Sequence, residues 1–434
     1  MTIQDVVKLK RTVEMPQHPS NQESAIVNPV IIIPTYVGGK RRSLSDAIIG
    51  TYDHVTPITH TGELPRCLES LREHQVNTPL IIMVVAEEGV GEEAGQKVRS
   101  IAATFIDRFE IQVIDAPIVS ALHDRMDLLG QDNMIEGVSL RGYGAVRNLG
   151  LMVAAVRGFS EVIFLDDDEI VTDSGFVENA LHGLGRLSPK GVPILVKSGF
   201  YTDSRGSWRS LQETAWYNRF WGQGELFNEW MEKAMSGARL SPSNILNGGC
   251  LALHQEAFNR VSFDAWISRG EDLDYLLNVL MYGGRVWFDN QFSVQHRPPV
   301  IHAEGQHFRQ DIYRWVYEYR KLEYARSQID LLQINPRSLD PYPGPFLDKS
   351  VGRRALLTAL LRTIGRAQNR QGYLKAALAA PKDAHDYAIT FCSHYFDFQR
   401  LWPGFLATVK EDAGIQTILT EGMVQPPIAE SEEP

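Results

Sequence analysis

Short apolar runs alternate with helical patterns from about residue 28 to about residue 300. Runs rich in Val, Ile and Leu occupy residues 30–33, 80–85, 111–114, 162–165, 192–196 and 286–288. Between them, apolar residues recur every three or four positions, at 64–71, 93–106, 145–156 and 208–235. Each short run predicts a buried strand, and Pro34 is expected to end the first one. Strands that alternate with helices predict an α/β fold, with a mostly parallel sheet flanked by helices.

The pattern changes near residue 300. Strand signals end there, and helical periodicity occupies residues 302–332, 351–366, 373–380 and 384–398. A Pro-containing stretch at 335–345 predicts a loop, and the last dozen residues are rich in Pro and Glu. The sequence thus predicts four parts, namely a flexible arm at 1–27, an α/β domain at 28–300, an added α-helical domain at 301–420 and a disordered tail at 421–434.

The composition is that of a soluble globular protein. The 434 residues are 44% hydrophobic and 22% charged, and the formal charge of -10 argues against nucleic-acid binding. The three cysteines are far apart and form no CxxC pair, which indicates neither a disulfide framework nor a zinc site. The N-terminus has no signal-peptide pattern, and no apolar run is long enough for a transmembrane helix. We therefore expect a cytoplasmic protein.

Four consecutive acids follow the apolar run at 162–165. Asp166, Asp167, Asp168 and Glu169 concentrate negative charge at the end of a predicted buried strand. Repulsion and desolvation make that arrangement costly unless a cation lies there. The cluster therefore suggests a hard divalent ion whose remaining ligands come from a phosphorylated substrate. The alternative is an acidic surface turn.

Further candidates follow other strands of the predicted sheet. Pro34, Thr35 and Tyr36 follow the first run, and Glu87 follows the second. In open α/β sheets, ligands bind outside the carboxyl ends of the strands, so we expect these residues to face the same crevice as the acids. Arg147 follows a Gly-Tyr-Gly segment and offers a planar cation suited to a diphosphate. An ordinary charge on a helix surface is the other interpretation.

Two later segments suggest a place for an acceptor and for a catalytic base. Gly248 and Gly249 lead into an apolar run, which indicates either a simple turn or a close approach to an acceptor substrate. Glu271 and Asp272 begin a helical pattern, where the helix dipole alone favours acids. A carboxylate held rigidly at that place would also serve as a general base.

A histidine near the end of the predicted α/β domain is the last candidate. A lone histidine such as His296 is usually structural. Its imidazole could nevertheless complete a metal site begun by Asp168.

Read in order, these segments resemble a nucleotide-sugar-dependent glycosyltransferase of the GT-A fold, which is Rossmann-like, and are most similar to the large family 2 group. The resemblance covers residues from about 30 to about 300, and the C-terminal helices lie outside it. Each motif is short, but five motifs in this order and spacing are typical of the superfamily. They are Ile33-Pro34-Thr35-Tyr36, Ala145-Val146-Arg147-Asn148-Leu149-Gly150, the D-x-D motif within Phe164-Leu165-Asp166-Asp167-Asp168, Asn247-Gly248-Gly249, and Gly270-Glu271-Asp272.

The resemblance implies a nucleoside-diphosphate-sugar donor, an acceptor with a hydroxyl group, and Mn²⁺ or Mg²⁺ as cofactor. Asp272 would be the base and Glu271 would orient a sugar, and direct displacement by that base would invert the anomeric centre. Retention of configuration stays an open alternative. The residues implied to hold the metal are Asp168, Asp166 and His296, those implied to bind the donor are Pro34, Thr35, Tyr36, Glu87, Arg147, Asp166 and Asp167, and those implied to bind the acceptor are Gly248 and Gly249.

The sequence departs from the family in one place and leaves two other functions open. The second strand of family members commonly ends in a pair of aspartates, whereas Glu87 and Glu88 stand here, so the nucleobase is not indicated. A sugar nucleotidyltransferase shares the architecture, but Lys40 and Arg41 match its basic loop only in part. A noncatalytic sugar-nucleotide-binding protein is the other alternative, and the intact acids speak against it.

Two segments have both a functional and a structural interpretation. Trp208, Trp216, Trp221 and Trp230 could form a sugar-stacking platform, although aromatic residues at helical spacing more often fill a core. The stretch at 353–362 is amphipathic and basic. It indicates either peripheral contact with a membrane surface or packing against the other C-terminal helices, and the second is favoured.

Overall fold

The computed structural model describes residues 27–39, 52, 55–210, 215–299, 304–366, 369–379 and 382–425. Within these ranges, ten strands form a single sheet. In chain order they are β1 (Pro29–Gly38), β2 (Thr56–Pro57), β3 (Leu80–Ala86), β4 (Ile111–Ile114), β5 (Glu161–Phe164), β6 (Glu169–Ile170), β7 (Val196–Thr202), β8 (Leu240–Pro242), β9 (Leu251–His254) and β10 (Val286–His296).

The helices of the same ranges flank the sheet and follow it in the chain. They are α1 (Leu64–Glu73), α2 (Gly91–Ala102), α3 (Ala116–Leu128), α4 (Tyr143–Val156), α5 (Phe176–Leu181), α6 (Gln223–Met235), α7 (Gln255–Phe258), α8 (Glu271–Met281), α9 (Glu304–Ala325), α10 (Val351–Gly365), α11 (Arg370–Ala379), α12 (Asp383–Glu411) and α13 (Ala413–Thr420).

The sheet has the order β4-β3-β1-β5-β9-β7-β10-β6, with β2 beside β1 and β8 beside β10. The strands β4, β3, β1 and β5 run parallel to one another, as do β7 and β10. In contrast, β9 lies antiparallel between β5 and β7, and β6 and β8 lie antiparallel to β10. The predicted α/β fold, with a mostly parallel sheet flanked by helices, is confirmed.

The first strand shows why both faces of the sheet must be covered. Val30 and Ile32 point to one face and Ile31 and Ile33 to the other, because successive side chains of a strand alternate, and all four are fully buried. One face packs against α1 and α2, and the other packs against α3 and α4, which in turn contact the C-terminal helices α12 and α13. Strands buried on both faces have continuous apolar sequences, which is why the pattern predicts them.

Pro34 does not end the first strand, which continues to Gly38. The Leu165 N–H donates to the Ile32 carbonyl (3.1 Å), so the even-numbered residues of β1 direct their backbone groups toward β5. The pairing of β1 with β5 stops at Ile32. Pro34 therefore lies beyond the end of the pairing with β5, where its nitrogen has no acceptor to meet. Its missing N–H costs the sheet no hydrogen bond.

Two predicted elements differ from the structure, and one helix is missing from the prediction. The missing helix is α3, although Ile118, Leu122 and Met126 recur there at helical spacing and are buried. The strand expected at 192–196 begins only at Val196, because Pro193 interrupts the apolar run. Within the helical stretch expected at 208–235, residues 223–235 form an α-helix and residues 216–218 a 3-10 helix, while residues 211–214 lie outside the described residues.

The C-terminal helical region is present as predicted. The four expected helices correspond to α9, α10, α11 and α12, although α12 continues to Glu411, and α13 follows it. Residues 421–425, assigned by the sequence to a disordered tail, lie against the sheet edge instead. There the Val113 N–H donates to the Gly422 carbonyl (2.8 Å) and the Val424 N–H donates to the Ile111 carbonyl (3.0 Å). The predicted domain boundaries themselves stay predictions.

A buried ion cluster joins the C-terminal helices to α8. Lys321 on α9 donates to Asp264 (2.7 Å) and to Asp274 on α8 (2.6 Å), and all three side chains are fully buried. Burial raises the pKa of Asp274 to about 6, although Lys321 acts in the opposite direction. Because Asp274 follows Asp272 by two positions, the cluster fixes the helix that presents Asp272.

Lys321→Met is expected to lower the free energy of unfolding by about 3 to 5 kcal/mol, because two buried carboxyl groups lose their cation. Denaturant titration of the purified variant measures this loss. Lys233→Met is the matched control, since Lys233 pairs with Glu229 on the exposed surface of α6 (3.0 Å). Such a surface pair contributes about 0 to 1 kcal/mol. Equal losses in the two variants would contradict the role given to the buried cluster.

Candidate active site

The four acids form a tight turn between β5 and β6. The Glu169 N–H donates to the Asp166 carbonyl (3.1 Å) and the Asp166 N–H donates to Glu169 Oε2 (2.9 Å), so the two ends of the run hold each other. Asp167, Asp168 and Glu169 are buried, whereas the Asp166 side chain is 29% exposed. The run is therefore not the exposed acidic turn of the alternative interpretation.

The concentration of acids perturbs its own members. Asp167 accepts a hydrogen bond from the Thr35 hydroxyl (2.6 Å), which joins β1 to the turn. Burial, reinforced by the charge of Asp168, raises the pKa of Asp167 well above its usual range. Burial also raises the pKa of Glu169, with Asp166 and Asp168 adding to the effect. Acids that raise each other's pKa in this way favour a bound cation.

The pairing of β6 with β10 brings His296 against the acids. His296 lies opposite Glu169 in this antiparallel pair, and its Nε2 is 3.1 Å from Asp168 Oδ2. Asp168 is buried, while the imidazole is 38% exposed. Tyr201, near the end of β7, stacks on the imidazole with 5.2 Å between ring centroids and limits its rotation. The structure therefore brings together two of the predicted metal ligands, Asp168 and His296.

These two donor atoms fit a divalent cation. Neighbouring ligands of an octahedral ion at about 2.1 Å are about 3 Å apart. Asp168 Oδ2 and His296 Nε2 have that separation, at 3.1 Å, which is also the length of the hydrogen bond that joins them. In the part of the chain that the structure describes, no three His, Cys, Asp or Glu side chains are grouped to hold a metal ion by themselves. Asp166, the third predicted ligand, contacts Arg147 (3.3 Å). The remaining ligands of an ion at Asp168 and His296 would come from substrate or water.

Arg147, in the first turn of α4, connects the acid turn to the other candidate segments. Its Nε donates to Glu271 Oε1 (2.8 Å), its Nη1 to the Gly248 carbonyl (3.0 Å) and its Nη2 to Asp166 Oδ1 (3.3 Å). The guanidinium is buried over the Phe164 ring, 4.9 Å from its centroid. Burial alone lowers the pKa of Arg147, but the charges of Asp166 and Glu271 outweigh it and raise the pKa. Arg147 is therefore no ordinary surface charge, since it fixes two acidic motifs relative to each other.

The Glu271-Asp272 corner lies on the other side of Arg147. Gly270 precedes it with a φ of 74°, in the left-handed region that glycine favours. Asp272 Oδ2 accepts a hydrogen bond from the Gly248 N–H (3.3 Å), and its side chain is 26% exposed. Arg314 of α9 lies 3.9 Å from Asp272 Oδ1. Glu271 is thus held by Arg147, while Asp272 keeps an open side.

The chain itself fills the space beside the two predicted acceptor-side glycines. A Cβ on Gly248 would lie 2.4 Å from Arg147 Nη2, and a Cβ on Gly249 would lie 2.2 Å from both carboxylate oxygens of Glu169. The Gly249 N–H also donates to the Tyr201 hydroxyl (2.9 Å). The close approach that the glycines predict is therefore made by protein side chains, and their contact with an acceptor stays a prediction.

Gly249→Ala is expected to lower the free energy of unfolding by about 1 to 3 kcal/mol, because the added methyl group must displace the buried Glu169 carboxylate. Gly404→Ala in α12 makes the same chemical change where an added Cβ has no atom within 4 Å. That control should become more stable by about 0.5 to 1 kcal/mol, since alanine is favoured within a helix. Denaturant titration measures the free energy of unfolding of both variants. An unchanged Gly249→Ala variant would show that the acid turn moves aside easily.

Two donor-side candidates pack beside the acid turn. Thr35 contacts the turn through its hydrogen bond to Asp167. Tyr36 is 9% exposed and forms a cluster with Tyr52 and Tyr143, with ring centroids 4.4 and 5.8 Å away. Burial, then the neighbouring Tyr143, raises the pKa of the Tyr36 phenol. The cluster gives the end of β1 a rigid aromatic wall.

The other donor-side candidates lie along the same edge of the sheet. Glu87 follows β3 and accepts a hydrogen bond from the Gly39 N–H, which follows β1 (2.8 Å). Pro34 lies inside β1 beside Met83 of β3. Contact of Pro34 or Glu87 with a nucleotide stays a prediction. Lys40 and Arg41, which bear on the nucleotidyltransferase alternative, lie outside the described residues.

A cavity of about 640 Å³ lies between α6, α9 and α10. Burial raises the pKa of Tyr342 in its wall to about 12, and the charges of Arg314 and Asp272 also act on that phenol. Tyr342 therefore lies within electrostatic range of both Arg314 and Asp272. The wall of the cavity includes Trp216, Gln223, Phe227, Asp311, Tyr342 and Arg362.

Two of the four tryptophans of the predicted aromatic platform lie in the hydrophobic core. Trp221 and Trp230 are 5% and 8% exposed, and each packs edge-on against a phenylalanine. Trp208 is half-buried. Trp216 is 55% exposed at the cavity and is the most open ring of the four. A stacking role therefore stays a prediction for Trp216 alone.

The sequence pattern does not indicate two residues of the site. Tyr201 contacts both His296 and Gly249, and its position near the end of a strand is the only signal that could have found it. Arg314 lies beside Asp272 but belongs to α9, outside the segments that resemble a known family. No local motif marks it.

Comparisons with known proteins show structural similarity at low sequence identity. No family model and no curated protein matches the chain. The chain is similar to a mannosyltransferase from Pyrobaculum calidifontis in complex with GDP-Man and Mn²⁺, at 14% identity, over 92% of this chain and 93% of that one, with a TM-score of 0.42.

Two further solved structures are similar to this chain. One is GalNAc-T7 with UDP, GalNAc and Mn²⁺, at 11% identity over 85% of this chain and 59% of that one, with a TM-score of 0.37. The other is glucosyl-3-phosphoglycerate synthase from Mycobacterium tuberculosis with Mn²⁺ and UDP-glucose, at 13% identity over 67% and 79%, with a TM-score of 0.34. TM-scores this low assign neither ligand nor activity to this chain, so the site's own geometry must support any function.

Proposed function

We propose that this protein is a metal-dependent glycosyltransferase, which moves a hexosyl group from a nucleoside-diphosphate sugar to an acceptor hydroxyl. The observation that carries the proposal is the double contact of Arg147, which donates to Asp166 and to Glu271 at once. It connects the D-x-D turn at the end of β5 to the carboxylate pair at the start of α8. A cation-binding turn beside a carboxylate base is the combination that transfer from a sugar nucleotide requires.

The donor side of the proposed reaction belongs to the acid turn. Asp168 Oδ2 and His296 Nε2, 3.1 Å apart, would hold Mn²⁺ or Mg²⁺. When bound, the cation would neutralise the charge that gathers on the departing diphosphate. Asp166 is the most exposed of the four acids and would contact the nucleotide ribose, while Arg147 keeps its carboxylate in place. The hydrogen bond between Thr35 and Asp167 anchors the turn to β1.

The acceptor side belongs to Asp272. Its carboxylate would take the proton from the acceptor hydroxyl as that oxygen attacks the anomeric carbon. The proton passes to Asp272, the new glycosidic bond forms, and the bond to the diphosphate breaks with its electron pair leaving on oxygen. A base that acts from the side opposite the departing diphosphate gives inversion at the anomeric carbon.

The test of this proposal uses the purified full-length protein with UDP-, GDP- and dTDP-sugars, each with and without Mn²⁺. One donor should raise the melting temperature only when Mn²⁺ is present, since a ligand that binds the folded state stabilises it by mass action. The same donor should slowly release its nucleoside diphosphate to water without an acceptor. A shift in melting temperature without any release would instead support a binding protein. The absence of stabilisation by every donor would contradict the proposal.

A further inference from the structure

The C-terminal helices carry a basic, acid-free stretch within an acidic protein. Between Lys349 and Lys382 there are eight Lys and Arg residues and no Asp or Glu, whereas the whole chain has a formal charge of -10. This stretch contains all of α10 and α11. Arg354, Arg362 and Arg366 bond to groups of the protein itself. The exposed cations that remain favour an anionic partner.

The same two helices expose large apolar side chains. Leu357, Leu360 and Ile364 recur along α10 and are 37%, 42% and 68% exposed, and Leu374 and Leu378 on α11 are 45% and 72% exposed. Single exposed apolar residues are ordinary on a protein surface. Five of them on two neighbouring helices form an apolar patch, and such patches mark interaction sites.

The packing of the helices joins these residues into one surface. α10 and α11 pack against each other and against α9. Each buries small residues on its inner side, such as Ala355 and Ala359 on α10 and Ala376 and Ala377 on α11. Their outer sides therefore adjoin. We call this surface the outer patch, and it consists of Leu357, Leu360, Ile364, Leu374 and Leu378 together with the exposed cations Arg353, Arg370 and Lys375.

The outer patch adjoins the cavity between α6, α9 and α10. Arg362 of α10 and Trp216 both line that cavity. A Cβ on Gly365, at the end of α10, would lie 3.2 Å from the Trp216 ring. The half-exposed Trp216 therefore lies at the rim between the outer patch and the cavity. Tryptophan is favoured at the boundary between lipid and water.

We propose that the outer patch docks this protein on the surface of an anionic lipid bilayer. Leucine side chains that enter the headgroup region and cations that meet anionic lipids are the two contributions that interfacial helices combine. Over the described residues, no helix is long and apolar enough to cross a membrane, so the contact is peripheral. A second copy of the chain fits poorly, because a two-fold contact would bring two basic surfaces together.

The experiment is vesicle co-sedimentation of the full-length protein. The protein should bind vesicles of phosphatidylcholine mixed with phosphatidylglycerol, and bind vesicles of phosphatidylcholine alone at least about tenfold more weakly. Added salt should weaken the binding, because it screens the attraction between exposed charges. Equal binding to the two kinds of vesicle, or none to either, overturns the proposal.

Two pairs of substitutions test which side chains make the contact. Leu360→Ser with Leu378→Ser, and separately Arg353→Glu with Arg370→Glu, should each lower vesicle binding about tenfold or more. Circular dichroism melts check that each variant remains folded, which exposed positions should permit. Unchanged binding in both folded variants overturns the proposal.

Matched controls make the same changes away from the outer patch. Leu128→Ser with Leu187→Ser removes leucines that are 76% and 60% exposed. Lys190→Glu with Arg205→Glu reverses two exposed charges on other loops. Both controls should bind vesicles like the unchanged protein. Analytical ultracentrifugation tests whether a second copy of the chain covers the outer patch. A dimer that dissociates in the variant Leu360→Ser with Leu378→Ser would show that it does, and would overturn the proposal.

Discussion

Asp168→Ala is expected to abolish glycosyl transfer, with a loss of at least about 10³-fold, and to remove the effect of Mn²⁺ on donor binding. Asp168 Oδ2 is one of the two closely spaced donor atoms that fit a divalent ion. A metal that polarises the leaving group supplies several kcal/mol to the transition state, and about 4 kcal/mol corresponds to 10³-fold in rate. Turnover of the donor found by thermal shift, and its calorimetric affinity with and without Mn²⁺, measure the two effects.

The same substitution should not destabilise the protein in the absence of metal. The charge of Asp168 contributes to the raised pKa of both Asp167 and Glu169, so its removal relieves repulsion inside the turn. The melting temperature without metal should therefore stay the same or rise. Asp397→Ala is the control, because that side chain is 68% exposed and pairs with the equally exposed Arg400 (3.1 Å). Full turnover in Asp168→Ala would remove the metal assignment, and a lower melting temperature would require the isosteric Asp168→Asn in its place.

The parts of the fold that depend on burial could be predicted from the sequence. Strands such as β3 and β5 are covered on both faces, so their apolar runs are unmistakable. The direction of β9 could not be predicted, because its three apolar residues, Leu251 to Leu253, fit a parallel or an antiparallel neighbour equally well. The prediction for Pro34 failed for a related reason. Whether a missing N–H matters depends on where the adjacent strand stops, which the local sequence does not contain.

The site divides in the same way. Acids at strand ends and helix starts could be found by position, because parallel strands deliver their carboxyl ends to one edge. The sequence does not show which side chain forms a hydrogen bond with which partner. Arg147 was expected to meet a diphosphate, and in the structure its three donor groups contact Asp166, Glu271 and the Gly248 carbonyl. A positioning role for Arg147 is therefore a better proposal than direct donor binding.

The contacts that the C-terminal helices make with the site also could not be predicted from the sequence pattern. Lys321 reaches Asp274 across 47 positions of the chain. Arg314 approaches Asp272 from the same helix, α9. Nothing in the spacing of either residue marks it, since both occupy ordinary positions of an amphipathic helix. The helical region is thus part of the site's support, although the family resemblance ends before it.

Asp272→Asn is expected to lower the rate of transfer by about 10² to 10⁴ while leaving donor affinity nearly unchanged, because an amide cannot accept the acceptor's proton. The amide is close in shape to the carboxylate. Its oxygen can still accept the Leu273 N–H, which now lies 2.7 Å from Asp272 Oδ1, whereas the longer contact of Oδ2 with the Gly248 N–H (3.3 Å) is lost. Loss of a charge in the first turn of α8 should cost about 0.3 to 1 kcal/mol of stability. Single-turnover transfer, donor calorimetry and denaturant titration separate the three effects.

Glu92→Gln gives the matched control, since it also neutralises an acid in the first turn of a helix, α2. A similar small loss of stability in both variants, with transfer lost in Asp272→Asn alone, would separate the base from the helix dipole. If folding and donor affinity fell together in Asp272→Asn, the carboxylate would serve α8 and not the reaction. The distinction is sharp because the Lys321 cluster holds α8 independently of Asp272, through Asp274. Because α8 is anchored through Asp274, it can lose the charge of Asp272 without moving. We therefore expect Asp272→Asn to lose transfer activity while it keeps its fold.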